Sequence, residues 1–153
     1  MCAFLLGDNM DEKYMIEALK EAKKAYKKNE VPIGAVIVKN GKIIARAHNQ
    51  KDLSKISVYH AEVLAIIRAC KKLKNWRLID CNLYVTMEPC LMCCGAIIQS
   101  RIKKVVYGVS NDNFGKIKKA TDDFKHYNIE VISNVLEDNC KDIIQKFFNE
   151  KRK

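Results

Sequence analysis

Two short motifs carry residue types that chemistry needs. One is His60-Ala61-Glu62 and the other is Pro89-Cys90-Leu91-Met92-Cys93. Cys90 and Cys93 are three residues apart, which puts both side chains on one side of a helix, as two ligands of one metal must be. With His60 they make a set of one imidazole and two thiolates. Four protein ligands close a zinc site, whereas three leave the fourth tetrahedral position for water. Zinc in such a site lowers the pKa of that water toward about 7, so hydroxide is available at neutral pH. Glu62 stands two residues from His60. A structural zinc site has no use for a carboxylate there, but a hydrolytic one does, because Glu62 can take the proton that water gives up. The expectation is therefore one Zn2+ per subunit held by His60, Cys90 and Cys93, with Glu62 as the catalytic proton carrier. Alone, Cys-x-x-Cys also fits a redox pair or half a zinc ribbon, and His-x-Glu is commonplace. The combination is far more specific.

The seven cysteines do not all read this way. Cys2, Cys70, Cys81 and Cys140 fall at apolar positions of helices or strands and read as small core residues. Cys94, four residues after Cys90, lies near the ligand face but reads as packed in the helix interior. His48 and His126 are surplus to a three-ligand set, and Trp76 and Phe147-Phe148 read as core or interface.

The elements that must position the two motifs follow from the hydrophobic pattern. Asp11 is placed to cap a helix whose apolar positions Met15, Ala18, Leu19, Ala22 and Tyr26 recur at helical spacing, with lysines on the other face. Glu30 to Pro32 ends it. Gly34–Val38 and Lys42–Ala47 flank Asn40-Gly41, a strong signal for an antiparallel hairpin. His48–Tyr59 reads as loop. A helix then opens at His60 and ends among Lys71, Lys72 and Lys74, cations that suit the negative end of the helix dipole. Cys81–Met87 is a strand. Pro89 suits a first helical position, and Cys90–Gln99 continues as a short apolar helix. Strands at Val105–Gly108 and Ile129–Ile132 follow, with a polar stretch and a short helix between them. Glu137–Lys151 closes the chain as a helix. Both motifs thus open helices, whose N-termini carry partial positive charge and favour thiolate over thiol. The alternation predicts an α/β fold: a mixed five-stranded sheet covered by helices, antiparallel at the hairpin and parallel later.

The 153 residues are expected to form a single domain, 1–153. Hydrophobic residues make up 48% and charged residues 30%, an ordinary soluble composition. Lys and Arg total 28 against 18 Asp and Glu, for a net charge of +10. Such a balance attracts polyanions such as RNA or DNA, and equally describes a solvated lysine-rich surface. Met1 to Leu6 lacks the positive charge that precedes a secretory core and is followed at once by Asp8 and Asp11, so no signal peptide is expected. No apolar run approaches the about 20 residues that cross a bilayer. A cytoplasmic setting follows, where ligand-spaced cysteines bind metal rather than pair.

His-x-Glu together with Pro-Cys-x-x-Cys is the signature of zinc nucleobase deaminases. Beyond it, the sequence resembles the bacterial tRNA-specific adenosine deaminases from about Met15 to Arg152. The resemblance is carried by Val31-Pro32-Ile33-Gly34-Ala35-Val36, Ala47-His48-Asn49, His60-Ala61-Glu62-Val63 and Trp76-Arg77-Leu78-Ile79-Asp80. It continues through Leu83 to Cys90, Met92-Cys93, Gly95-Ala96, Ser100-Arg101 and the ending Glu137 to Phe148. It implies a cytidine-deaminase-like three-layer sandwich, a zinc ion, a homodimer and no membrane association. The implied substrate is the tRNA anticodon stem-loop, whose wobble adenosine becomes inosine. The family's counterpart of Asn49 hydrogen-bonds the target nucleotide, which makes Asn49, with Ala61 beside the ligand, the substrate-binding candidates. The chain departs from the family at Ile56-Ser57-Val58-Tyr59, where Asp-Pro-Thr-Ala is usual, and from Val109 to Lys119, where Asn111 stands for an aspartate and Lys116, Lys118 and Lys119 add charge. Two other readings stay open at this point. One is a small-molecule deaminase acting on guanine, cytosine or a nucleoside such as adenosine. The other is a zinc-stabilised RNA-binding protein without catalysis.

Overall fold

The structure is a computed structural model that describes residues 2–111 and 120–151. The first helix, α1, spans Cys2–Lys27. Its buried positions Met15, Ala18, Leu19, Ala22 and Ala25 repeat every three or four residues, so one stripe faces the sheet. Asp11 does not cap this helix but lies inside it. Its carboxylate is committed to a tertiary contact instead, accepting a 2.9 Å hydrogen bond from the Tyr84 hydroxyl with Lys104 Nζ 3.5 Å away. The helix stops before Asn29, whose φ of 62° is the left-handed turn that closes helices.

The hairpin is formed by β1 (Gly34–Lys39) and β2 (Lys42–His48), antiparallel as expected. Asn40 and Gly41 both take positive φ (51° and 76°), which the tightest hairpin turns require. The loop after β2 contains a four-residue helix, α2 (Lys51–Ser54), where only loop was expected. The signal for it lies elsewhere in the chain: the buried Glu30 carboxylate accepts the N–H groups of Asp52 and Leu53 at 3.1 and 2.7 Å. The chain continues with α3 (Ala61–Leu73), β3 (Cys81–Met87), α4 (Leu91–Gln99) and β4 (Lys104–Val109). A 3-10 helix (Ala120–Tyr127), β5 (Glu130–Ile132) and α5 (Glu137–Lys151) complete it.

The five strands form one sheet in the order β2-β1-β3-β4-β5. The β1/β3 pair is antiparallel, and the β3/β4 and β4/β5 pairs are parallel. Strand alternation splits the interior in two. Ala35, Ile37, Leu83, Val85, Val105 and Tyr107 point to the side that α3 and α4 cover. Val36, Val38, Tyr84 and Val106 point to the other side, against α1 and Cys140 of α5. The result is helices, sheet, helices, in three layers. Two glycines allow close approach. A methyl group on Gly34 would lie 2.0 Å from the Ala18 carbonyl oxygen of α1, and one on Gly108 would lie 2.3 Å from Cys140 Sγ.

Candidate active site

The site is built at the N-termini of α3 and α4. His60 is the residue before α3 and is extended (φ −76°, ψ 154°). Cys90 stands in the same position before α4 (φ −73°, ψ 174°). Its carbonyl already accepts the first intrahelical bond, from Cys94 N–H at 2.9 Å. Pro89 is therefore one residue outside the cap rather than the first helical residue. Cys93 lies one turn into α4 and is buried. The helices pack side by side on one face of the sheet, so their first turns meet at one point.

His60 Nδ1 lies 3.6 Å from Cys90 Sγ and 3.5 Å from Cys93 Sγ. The three candidate ligand atoms all fall within 4.8 Å of one another, and no further His, Cys, Asp or Glu joins them among the described residues. Two sulfurs and an imidazole nitrogen, with no fourth protein donor, fit a zinc ion that keeps one position open. The electrostatics show the same thing from the proton's side. The Cys90 thiol is pulled down to about 4 by the Cys93 S–H that bonds its sulfur, and His60 lowers it further. The Cys93 thiol, which gives that bond, is pushed up. The His60 imidazole is raised, chiefly by its bond to Cys90. The Cys90 sulfur thus favours the thiolate, with the Cys93 thiol and the His60 ring turned toward it. Cys94 is buried in the core, with its S–H directed at the Pro89 carbonyl 3.6 Å away.

Glu62 occupies the first turn of α3 and is buried. Burial pushes its carboxyl up to about 6. Asn49 follows β2 and is also buried. Its Oδ1 accepts the Ala61 N–H at 2.8 Å. That bond fastens the end of the hairpin to the start of α3. The Ala61 amide and methyl are both engaged within the protein.

A MafB19-like deaminase family model matches residues 9–152. The tRNA-specific adenosine deaminase of Bacillus subtilis (strain 168) is 50% identical over 147 residues, covering 94% of this chain and 91% of that protein. The chain belongs to the tRNA-specific adenosine deaminase family. A solved structure from studies of A-to-I editing by tRNA:A34 deaminases matches it with a TM-score of 0.78 at 36% identity, over 86% of this chain and 98% of that one. The guanine deaminase of Bacillus subtilis shares the fold at a TM-score of 0.64 and 40% identity, over 69% of this chain and 68% of that one. The fold is the cytidine-deaminase-like one.

In this deaminase two buried carboxylates support the site without belonging to the motifs. Glu30 holds α2 beside Asn49. Glu88, two residues before Cys90, accepts the Asn111 N–H at 3.0 Å and the Thr121 hydroxyl at 2.7 Å. Sequence reasoning took Glu30 as part of the Glu30 to Pro32 helix end and gave Glu88 no role of its own. For Glu88 the available signal was a lone acidic residue in an otherwise largely apolar run, Val85 to Met92. Of the segments where the chain departs from its family, 56–59 forms the end of the loop before His60, and Tyr59 packs against the core. Residues 112–119 of the other segment lie outside the described residues. Trp76 is not a core residue: it is 51% exposed, with the Arg77 guanidinium 4.2 Å from its ring centre.

Proposed function

We propose that this chain is a zinc-dependent hydrolytic deaminase that converts adenosine to inosine in RNA, at the wobble position of tRNA anticodons. The observation that carries this reading is the closed set of His60, Cys90 and Cys93 with buried Glu62 beside it, in a chain 50% identical to a tRNA-specific adenosine deaminase. Residues 1–153 act as a single catalytic domain, with His60, Cys90 and Cys93 holding one Zn2+ per subunit. Zinc held there lowers the pKa of a water molecule and so supplies the nucleophile for C6 of adenine at neutral pH.

The chain's own residues do the rest. Exchange of an amino group for oxygen needs a proton removed from water, a proton at ring N1 and a proton on the departing ammonia. Glu62 takes the first and gives it to N1, then takes the second water proton from the hydroxyl now on C6 and gives it to the amine as the C–N bond breaks. A carboxyl near 6 is close to the working pH in both directions, which suits a group that must accept and give. Asn49 has spent its oxygen on Ala61 N–H, so it meets substrate with its amide Nδ2 as a donor. The net charge of +10 favours a polyanion. Exposed Leu91 and Met92, at 77% and 36%, give the rim of the site an apolar surface suited to a second copy of the chain, and the working form is a homodimer. None of the described helices is long and apolar enough to cross a membrane, and a tRNA substrate places the enzyme in the cytoplasm.

Ammonia release from a panel tests this: an anticodon stem-loop RNA with wobble adenosine, its DNA counterpart, free adenosine, cytosine and guanine. The expected result is inosine formed in the stem-loop alone, with binding that weakens steeply as salt rises. Turnover of free guanine with the stem-loop untouched would replace this reading with a free-base deaminase, the alternative that the guanine deaminase likeness favours.

A further inference from the structure

His48, at the end of β2, takes no part in the ligand cluster, and it is a buried polar residue. Its Nδ1 lies 3.0 Å from the carbonyl oxygen of the next residue, Asn49. A carbonyl only accepts, so the ring hydrogen is on Nδ1. Nε2 is then a lone pair, and Lys28 Nζ, just past the end of α1, stands 3.5 Å from it as a donor. One neighbour needs the hydrogen on Nδ1 and the other needs Nε2 without one, so a single neutral tautomer satisfies both.

The residue held by this ring is tied at its N–H and its side-chain oxygen as well. Asn49 N–H donates to the Ile33 carbonyl at 3.1 Å, and Asn49 Oδ1 accepts Ala61 N–H at 2.8 Å. The neighbouring strand end is fixed in turn, with Gly34 N–H donating to Thr86 Oγ1 at 3.1 Å and Gly34 paired with His48 across the sheet. A peptide carbonyl in a tight connection between strand and loop can rotate. The His48 ring removes that freedom for Asn49 and so sets the direction in which the Asn49 side chain leaves the backbone.

We propose that His48 is a positioning residue of the active site, which acts by holding the Asn49 carbonyl so that the Asn49 amide meets the nucleoside in one orientation. This rests on the assignment of Asn49 to substrate. A group misplaced by a fraction of an ångström can lose much of its effect on rate.

Three variants of the full-length, zinc-loaded protein separate this role from mere packing. In His48→Asn the side-chain amide nitrogen falls where Nδ1 was and keeps the donor. In His48→Gln the amide falls where Nε2 was and the donor is lost. In His48→Phe only the shape remains. Two readouts are made on each. The first is hydrogen exchange of the Ala61 amide, which reports on Asn49 whatever the substrate is. The second is kcat and KM on whichever member of the substrate panel the unaltered protein deaminates. His48→Gln and His48→Phe are expected to speed Ala61 exchange and lower kcat/KM by about tenfold each, the factor one net hydrogen bond is worth, with zinc content unchanged. His48→Asn is expected to stay within about twofold of the unaltered protein, since it keeps that bond. Ala61 exchange in His48→Gln equal to that of the unaltered protein, or a His48→Asn variant as impaired as His48→Gln, would overturn the proposal. If His48→Phe fails to fold, the Asn and Gln pair decides alone. A protein that ignores the stem-loop refutes the RNA reading while Ala61 exchange still judges His48.

Discussion

The two faces of the sheet are built from the same strands and carry different duties. On one face α3 and α4 present their N-termini, and polar groups crowd there: buried Glu62, Asn49 and Cys93 beside half-buried His60 and Cys90. On the other, α1 and α5 pack along their lengths against Val36, Val38, Tyr84 and Val106, and polar contacts such as Tyr84 to Asp11 and Tyr14 to Gly41 tie one element to another. Helices that enter a site end-on bring unpaired N–H groups and partial positive charge, which anionic ligands need. Helices that lie flat bring apolar stripes, which stability needs. The lesson is that orientation of the helix, more than its composition, decides which face does chemistry.

This division can be broken or sharpened by substitution. The largest expected effect is on the first face. Glu62→Gln keeps the shape and loses the proton, so kcat should fall by about 100-fold to 10,000-fold while metal content and melting temperature stay put. Residual activity near that of the unaltered protein would remove Glu62 from the proton path. Next is Gly34→Ala, where the added methyl meets the Ala18 carbonyl at 2.0 Å. Backbone cannot yield as a flexible side chain can, so a loss on the order of 3 kcal/mol in unfolding free energy is expected by denaturant titration. The smallest effect belongs to Tyr84→Phe, which deletes the 2.9 Å bond to Asp11. About 1 kcal/mol of stability should go, with no change in kcat/KM. A kinetic defect in Tyr84→Phe would show that the faces are coupled.

Much of this was legible in the sequence, for reasons that differ by region. Cys81–Met87 and Glu137–Lys151 were placed to the residue because their patterns are strong and their ends are marked. The ligand cluster was legible because spacing within a helix converts directly into geometry. His60, 30 residues from Cys90, could be added only through the motif as a whole, since no local rule spans that distance. What sequence reasoning missed depends on tertiary partners. Asp11 looked like a helix cap because its residue type favours one, yet its partner is Tyr84, 73 residues away. α2 was read as loop because the group that caps it, Glu30, is more than 20 residues upstream. Trp76 was read as core or interface, and its exposed ring beside two guanidinium groups removes the core reading. His48 carried no local signal at all.

The loop between Asn49 and His60 closes on itself at its neck, where Gln50 N–H donates to the Tyr59 carbonyl at 3.0 Å. Just below the neck, Asn49 and Ala61 are bonded to each other. The loop thus has a fixed neck, and its first turn, α2, is tied separately to the buried Glu30 carboxylate. Doubling the length of a flexible loop costs only about 0.6 kcal/mol, less than the neck and the bond beneath it together supply. Residues 55–58 can therefore be rewritten or lengthened while His60, Glu62, Cys90 and Cys93 keep their places. In such a scaffold the loop can drift in sequence while the frame that carries the ligand cluster stays as it is.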